Sequence, residues 1–383
     1  MLSEKELEEA IRKITDRLDE VNRLYVKKIA TQIKTIGELN QSSINRLLVM
    51  QDMGKDIAEI NLQLRLATNL NVKDLLRLYQ KALTETYTDK RFSAFLQENP
   101  LPEPSRERLN NFARNVSAQT ARTMINISNT TAVSTQYQKA IDKAVVAVSS
   151  GLADYKSATR DVIKDIGYNG LQVYYDSGYH RRLDTAVRQN IIDGVNQINQ
   201  NASLMMGEEL GFDAVEISAH LHSAPDHEPV QGRVFLKSEF EKMQAGQDFR
   251  DVDGRNYTGF RRPIGEWNCM HIAMGFSTAH SVRRYSEEQL RAWAEANQAG
   301  CEIRGKHMTI YGAGQYMRTL ETEIRREKDA ANAARLAEDD TLRRSCQERI
   351  NALSRRYYDV AKAAGLKANG DRLTVQGFKA VKL

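Results

Sequence analysis

The sequence predicts an α+β protein, predominantly α-helical, in which long helices carry one small mixed α/β domain and the chain ends in a C-terminal helical hairpin and tail. Three observations lead there. The six prolines stand at 100, 102, 104, 225, 229 and 263, which leaves 105–224 and everything after 263 open to long helices. Proline removes a backbone donor and clashes with the preceding turn inside a helix. Outside 213–285 the apolar residues recur every three or four positions, the period of a helix face turned to a core. At Asp213 that period gives way to alternation, as expected of a strand with one buried face.

Residues 1–99 read as an N-terminal helical region. Ser3 and Glu6 form a capping-box pair, and Leu7, Ile11, Ile14, Leu18, Val21 and Tyr25 then alternate at spacings of four and three. This is a heptad seam of almost three repeats. A seam of this kind packs inside its own domain or against a helix of another subunit. Further helices are expected over about 42–68 and 72–98. The linker ENPLPEPS precedes a second helical region, 105–212, with Ser105 as its cap and Phe112, Val116, Met124 and Ile127 along one stripe. Gly167, Gly170 and Gly178 punctuate it. One long helix then carries Leu183, Val187, Ile191 and Val195 every four residues and stops at Gly211.

Residues 213–285 form the small mixed domain. DAVEISAH (213–220), GRVFL (232–236) and NCMHIAMGF (268–276) are its strand candidates, and it holds three of the six prolines and five of the seven histidines. Residues 286–383 are helical again. Ser286 and Gln289 make a second capping box, which opens the short helix SEEQLRAWAEAN. From about 314 to 365 a helical hairpin is expected to turn near Glu338 to Asp340. Its charges are of mixed sign, which reads as a solvated face ahead of a DNA-facing one. The tail GDRLTVQGFKAVKL adds a strand or lies against a neighbour.

Composition narrows the function classes. Hydrophobic residues make up 41% and charged residues 27% of the 383, and no apolar run approaches the roughly 18 residues of a membrane span. The charged opening MLSEKELEEAIRK is unlike a secretory signal, so synthesis in a cytoplasm is expected. Three scattered cysteines, Cys269, Cys301 and Cys346, do not make a disulfide framework and suit a reduced compartment. Lysine and arginine number 55 against 50 acidic residues, a near-balance that argues against a dedicated nucleic-acid binder. Weak contact with DNA is compatible with it.

Chemistry concentrates in the small domain, where SAHLHSAPDHEPVQGRVF (218–235) and GEWNCMHIAMGF (265–276) supply His220, His222, Asp226, His227, Cys269 and His271. Imidazole and thiolate are the usual zinc ligands. On a strand over 268–273, Cys269 and His271 would project from one face, and His220 and His227 flank a loop able to fold back onto them. His220, His227, Cys269 and His271 are therefore the candidate structural metal site, with zinc as the candidate ion. A histidine cluster that only hydrogen-bonds its loop and a catalytic site are the alternatives. Catalysis would need a placed base, for which Asp226 and Glu228 are available. Asp251, Asp253 and Gly254 hint at a calcium loop, but Asn256 and Arg262 occupy the positions that need glycine and glutamate. No GK[ST] follows Gly312–Gly314, and no GxSxG elbow occurs. No catalytic or organic-cofactor residues are assigned.

The same segments carry a resemblance. YDSG (175–178), LDTAVRQNIIDGVNQ (183–197), VEISAH (215–220), PDH (225–227), QGRVF (231–235), WNCMH (267–271) and YSEEQL (285–290) follow one another as in the phage minor capsid protein 2 family. GLKANGDRLTVQGF (365–378) resembles that family's closing segment. Two positions depart from it. Ala224 and Met270 stand where arginine is usual, which weakens any role for a basic group there. The resemblance implies a structural minor capsid protein of a tailed bacteriophage, located in the virion head. It would lie near the portal or inside the head and aid head assembly or DNA ejection. Portal protein and major capsid protein are the implied partners. A metal-dependent hydrolase (a nuclease or maturation peptidase using the His/Cys cluster) and a DNA-binding pilot protein are the alternative functions.

Overall fold

The computed structural model describes residues 4–38, 43–87, 102–149, 155–221, 223–265 and 269–383. Among the described residues it has ten α-helices and a few small antiparallel sheets, so the chain is predominantly α with a small α/β part. It divides into two compact units, each drawn from three stretches of sequence. Unit 1 takes 1–10, 72–122 and 189–314, and unit 2 takes 11–71, 123–188 and 315–383.

Helix α1 spans Glu4–Glu38 and α2 spans Ser43–Tyr87. The seam residues Ile11, Ile14, Leu18, Val21 and Tyr25 are all at most 3% exposed, and the buried row runs on through Ile29 and Ile33. These seam positions are therefore buried within the chain itself. The break expected near residue 70 is absent. Asn71, a weak helix former, is fully buried; its Oδ1 accepts from Arg17 Nη1 at 2.8 Å and its Nδ2 donates to the Ile14 carbonyl. Tertiary pairing thus outweighs local propensity and keeps α2 continuous. The part of the expected second helix at 88–98, the capping residue Ser3 and the first half of the ENPLPEPS linker lie outside the described residues.

Helix α3 (Glu103–Thr130) starts two residues before the expected cap. Pro104 sits in its first turn, where a missing N–H costs nothing, and Ser105 is a buried helical residue. Helices α4 (Val133–Ser149) and α5 (Tyr155–Asn169) and the hairpin β1–β2 (Gln172–Tyr174, His180–Arg182) follow. Helix α6 spans Leu183–Glu209 and ends as expected, with Gly211 at φ 70° and the Phe212 N–H returning to the Gly207 carbonyl.

In unit 2, α5 meets α9 (Ile310–Leu336) at Gly167, where an added Cβ would lie 2.7 Å from both Ala330 Cα and Ala333 Cβ. Buried Arg182 ties three elements of that unit together. Its guanidinium pairs with Asp184 at the start of α6 and Asp329 on α9, and donates to the Tyr168 carbonyl at the end of α5. Helix α10 (Asp340–Ala363) completes the helical hairpin. The turn falls where expected, with Glu338 at φ 56° and Asp339 capping the Leu342 N–H. The tail forms no strand. A 3-10 turn at Gly370–Leu373 leads into an extended run whose Gln376 bonds Arg23 and Glu20 of α1.

In unit 1 a three-stranded antiparallel sheet has the order β4–β3–β7. Strand β3 (Ala214–Ile217) is central and wholly buried, β4 is Val234–Leu236 and β7 is Ala273–Phe276. All three are shorter than their sequence signals. Helix α7 (Lys237–Gln244) and the short pair β5–β6 (Phe249–Arg250, Asn256–Tyr257) enclose a core of Val215, Ile217, Phe235, Phe240, Met243 and Phe249. Asp251 and Asp253 bond loop N–H groups, Tyr257, Arg255 and Arg283. Helix α8 (Glu287–Ala299) has the expected Ser286 cap, and the unforeseen hairpin β8–β9 (Cys301–Ile303, Lys306–Met308) turns on Arg304 and Gly305, both at positive φ.

Candidate metal centre

The polar face of α6 positions the backbone beneath the histidine cluster. Asn196 Nδ2 donates to the Cys269 carbonyl at 3.2 Å. Gln200 accepts from Ala273 N with one amide atom and donates to the Ile264 carbonyl with the other. Ser203 accepts from Gly275 N. Gly265 sits at φ 86°, where L side chains are strained, and an added Cβ would lie 2.7 Å from Gln200 Oε1. Helix α6 thus holds the backbone at Ile264, Cys269, Ala273 and Gly275 through three amide or hydroxyl side chains.

Strand β7 begins only at Ala273, so Cys269 and His271 sit in the loop before it. The alternation expected to align them is absent, yet the two side chains meet. Cys269 Sγ lies 3.6 Å from His271 Nδ1 and 3.2 Å from His227 Nδ1. The three residues are 2%, 2% and 0% exposed, respectively. Their potential ligand atoms all fall within 4.8 Å of one another. His220 is near but differently engaged, its ring stacked on that of His271 with centroids 4.4 Å apart. His222 lies outside the described residues.

Neighbouring groups fix the rings. His227 Nε2 lies 2.8 Å from the Arg262 carbonyl oxygen, which can only accept, so the proton is on Nε2 and the Nδ1 lone pair faces Cys269. Phe260 stacks on the same ring. Gln231 Oε1 accepts from the His220 backbone N–H at 3.1 Å, which identifies it as the amide oxygen, and it lies 3.4 Å from His271 Nε2. His271 Nε2 is therefore the donor, and its Nδ1 lone pair also faces the sulfur. Ser223 Oγ stands 3.3 Å from the same Nε2.

Burial governs the electrostatics. It pushes His271 down to about 2, with the nearby His220 and His227 adding to the effect. It lowers His227 and raises the Cys269 thiol. The imidazoles are thus held neutral, the form in which they bind metals.

The carboxylates weighed as bases are otherwise occupied. Asp226 forms a two-point pair with Arg262, at 2.8 and 2.9 Å, and Glu228 accepts from Asn297 Nδ2 at 2.9 Å. Cys301 and Cys346 are not among the three clustered residues, and burial followed by Glu327 pushes the Cys346 thiol up to about 12. Sequence reasoning missed Gln231, Ser223 and Arg262, although Gln231 opens the QGRVF motif.

The described residues are mostly helical, with a buried Cys/His centre beside one small three-stranded sheet. The family model for phage minor capsid protein 2 matches residues 2–359, nearly the whole length, and the chain belongs to that family. No curated protein and no solved structure is detectably similar to it.

Proposed function

We propose that the protein is a non-catalytic minor component of the phage head, placed at the inner side of the portal vertex, where it aids head assembly and DNA ejection. The observation that carries this reading is the family match over residues 2–359, which makes the chain a structural virion protein. Its near-balance of 55 basic and 50 acidic residues favours protein partners, the portal and the major capsid protein, over a dominant contact with packaged DNA. No helix among the described residues is long and apolar enough to cross a membrane.

Cross-linking mass spectrometry of purified full and emptied heads tests the placement. Cross-links to the portal, with the chain protected from protease added outside intact heads, are expected. Absence from mature heads overturns the virion role. Cross-links confined to the outer face of the shell overturn the placement alone.

A further inference from the structure

We propose that His227, Cys269 and His271 bind one zinc ion in a structural site that locks the loop segment carrying His227 onto the backbone ahead of β7. This inference concerns unit 1 alone and does not depend on where the protein sits in the head.

The geometry comes first. Zinc bonds of about 2.3 Å to sulfur and about 2.0–2.1 Å to nitrogen, set at the tetrahedral angle, separate the sulfur from each nitrogen by about 3.6 Å. The observed separations from Cys269 Sγ are 3.2 Å to His227 Nδ1 and 3.6 Å to His271 Nδ1. Both nitrogens therefore stand close to where zinc needs them.

Proton counting comes second. The Arg262 carbonyl and the Gln231 amide oxygen hold the imidazole protons on the two Nε2 atoms. Both Nδ1 lone pairs then converge on one thiol, which has a single proton to donate. Hydrogen bonding inside the trio satisfies one nitrogen and leaves the other facing sulfur. A cation satisfies all three atoms at once, and the thiol proton leaves to solvent as the thiolate binds.

The supporting groups are third. A ligating histidine generally donates its outer N–H to a carbonyl or carboxylate, which fixes its orientation. Here both do, and one of those acceptors, Gln231, also holds the His220 backbone N–H. Soft thiolate with imidazole selects zinc over magnesium or calcium.

Full-length protein, purified without chelator, is tested by elemental analysis and by thermal unfolding before and after chelation. One zinc per chain is expected, with a melting temperature that falls on chelation and returns with zinc but not with magnesium. Cobalt alone, added to chelated protein, should give a tetrahedral visible spectrum and a near-ultraviolet thiolate band that Cys269→Ser abolishes. Gln231→Ala, which leaves every ligand in place, should weaken zinc binding about 10- to 100-fold. Metal-free protein that shows no thermal response to zinc and no thiolate–cobalt band overturns the site.

Discussion

Gly194 gives a sharp test of how the helices of unit 1 cross. It sits on α6 where Tyr79 of α2 lies over it. Tyr79 is fully buried, and its hydroxyl bonds Thr120 Oγ1 of α3 at 3.1 Å. A Cβ added at Gly194 would lie 1.9 Å from Tyr79 Oη and 2.6 Å from Tyr79 Cζ. The neighbour is a packed ring with no free rotamer, so Gly194→Ala forces the ring back. Overpacking of this kind costs about 1–3 kcal/mol, and a buried hydroxyl pair pulled apart costs about 1–3 kcal/mol more. The better helix propensity of alanine returns about 1 kcal/mol. The expected net loss is about 3 kcal/mol, read as a lower urea midpoint by far-ultraviolet circular dichroism. Gly54 is the control, an exposed helical glycine with nothing within 4 Å of an added Cβ. Gly54→Ala should stabilise by about 0.5–1 kcal/mol. In the Gly194→Ala background, Tyr79→Phe removes the nearest clashing atom and should cost less than it does alone. A Gly194→Ala protein as stable as Gly54→Ala would refute the crossing.

Two further outcomes concern unit 2. Arg182 is buried with Asp184 and Asp329, so Arg182→Leu leaves two carboxylates without their cation. Urea unfolding should show a loss of about 3–5 kcal/mol, and a loss below about 1 kcal/mol would contradict the pairing. Glu327 has its pKa raised above 4.5, because burial outweighs the attraction of Arg349, whose Nε lies 2.8 Å away. A raised folded-state pKa means that the folded chain holds the proton more tightly than the unfolded one. Its contribution to stability is then full below pH 4.5 and is lost as pH rises through the raised value. Glu327→Gln should therefore gain on the wild type between pH 4.5 and pH 7.5, and a stability difference that does not change with pH would exclude the shift.

The parts of this fold legible in the sequence are those where one local rule acts over many residues. Five seam positions from Ile11 to Tyr25, the stop at Gly211, the Ser286 cap and the turn at Glu338 all follow from period, propensity or φ sign, and all stand in the structure. Two kinds of feature were not legible. Strands of two to four residues, such as β5–β6 and β8–β9, are too short to show a period. Helix α2 runs through Asn71 because Arg17 and Ile14, more than fifty residues away in sequence, satisfy that side chain. The candidate centre joins both cases. Residue chemistry singled out His220, His227, Cys269 and His271, but the reason offered for their meeting, a strand through 268–273, does not hold. What aligns two Nδ1 atoms on one sulfur is a carbonyl at Arg262 and an amide at Gln231. A carbonyl has no sequence signature, and the orientation of Gln231 depends on the His220 N–H reaching it across the loop. Ligand identity can thus be written locally while ligand geometry is set by tertiary contacts. On that account, changing Gln231 should disturb metal affinity as surely as changing a ligand, and more selectively.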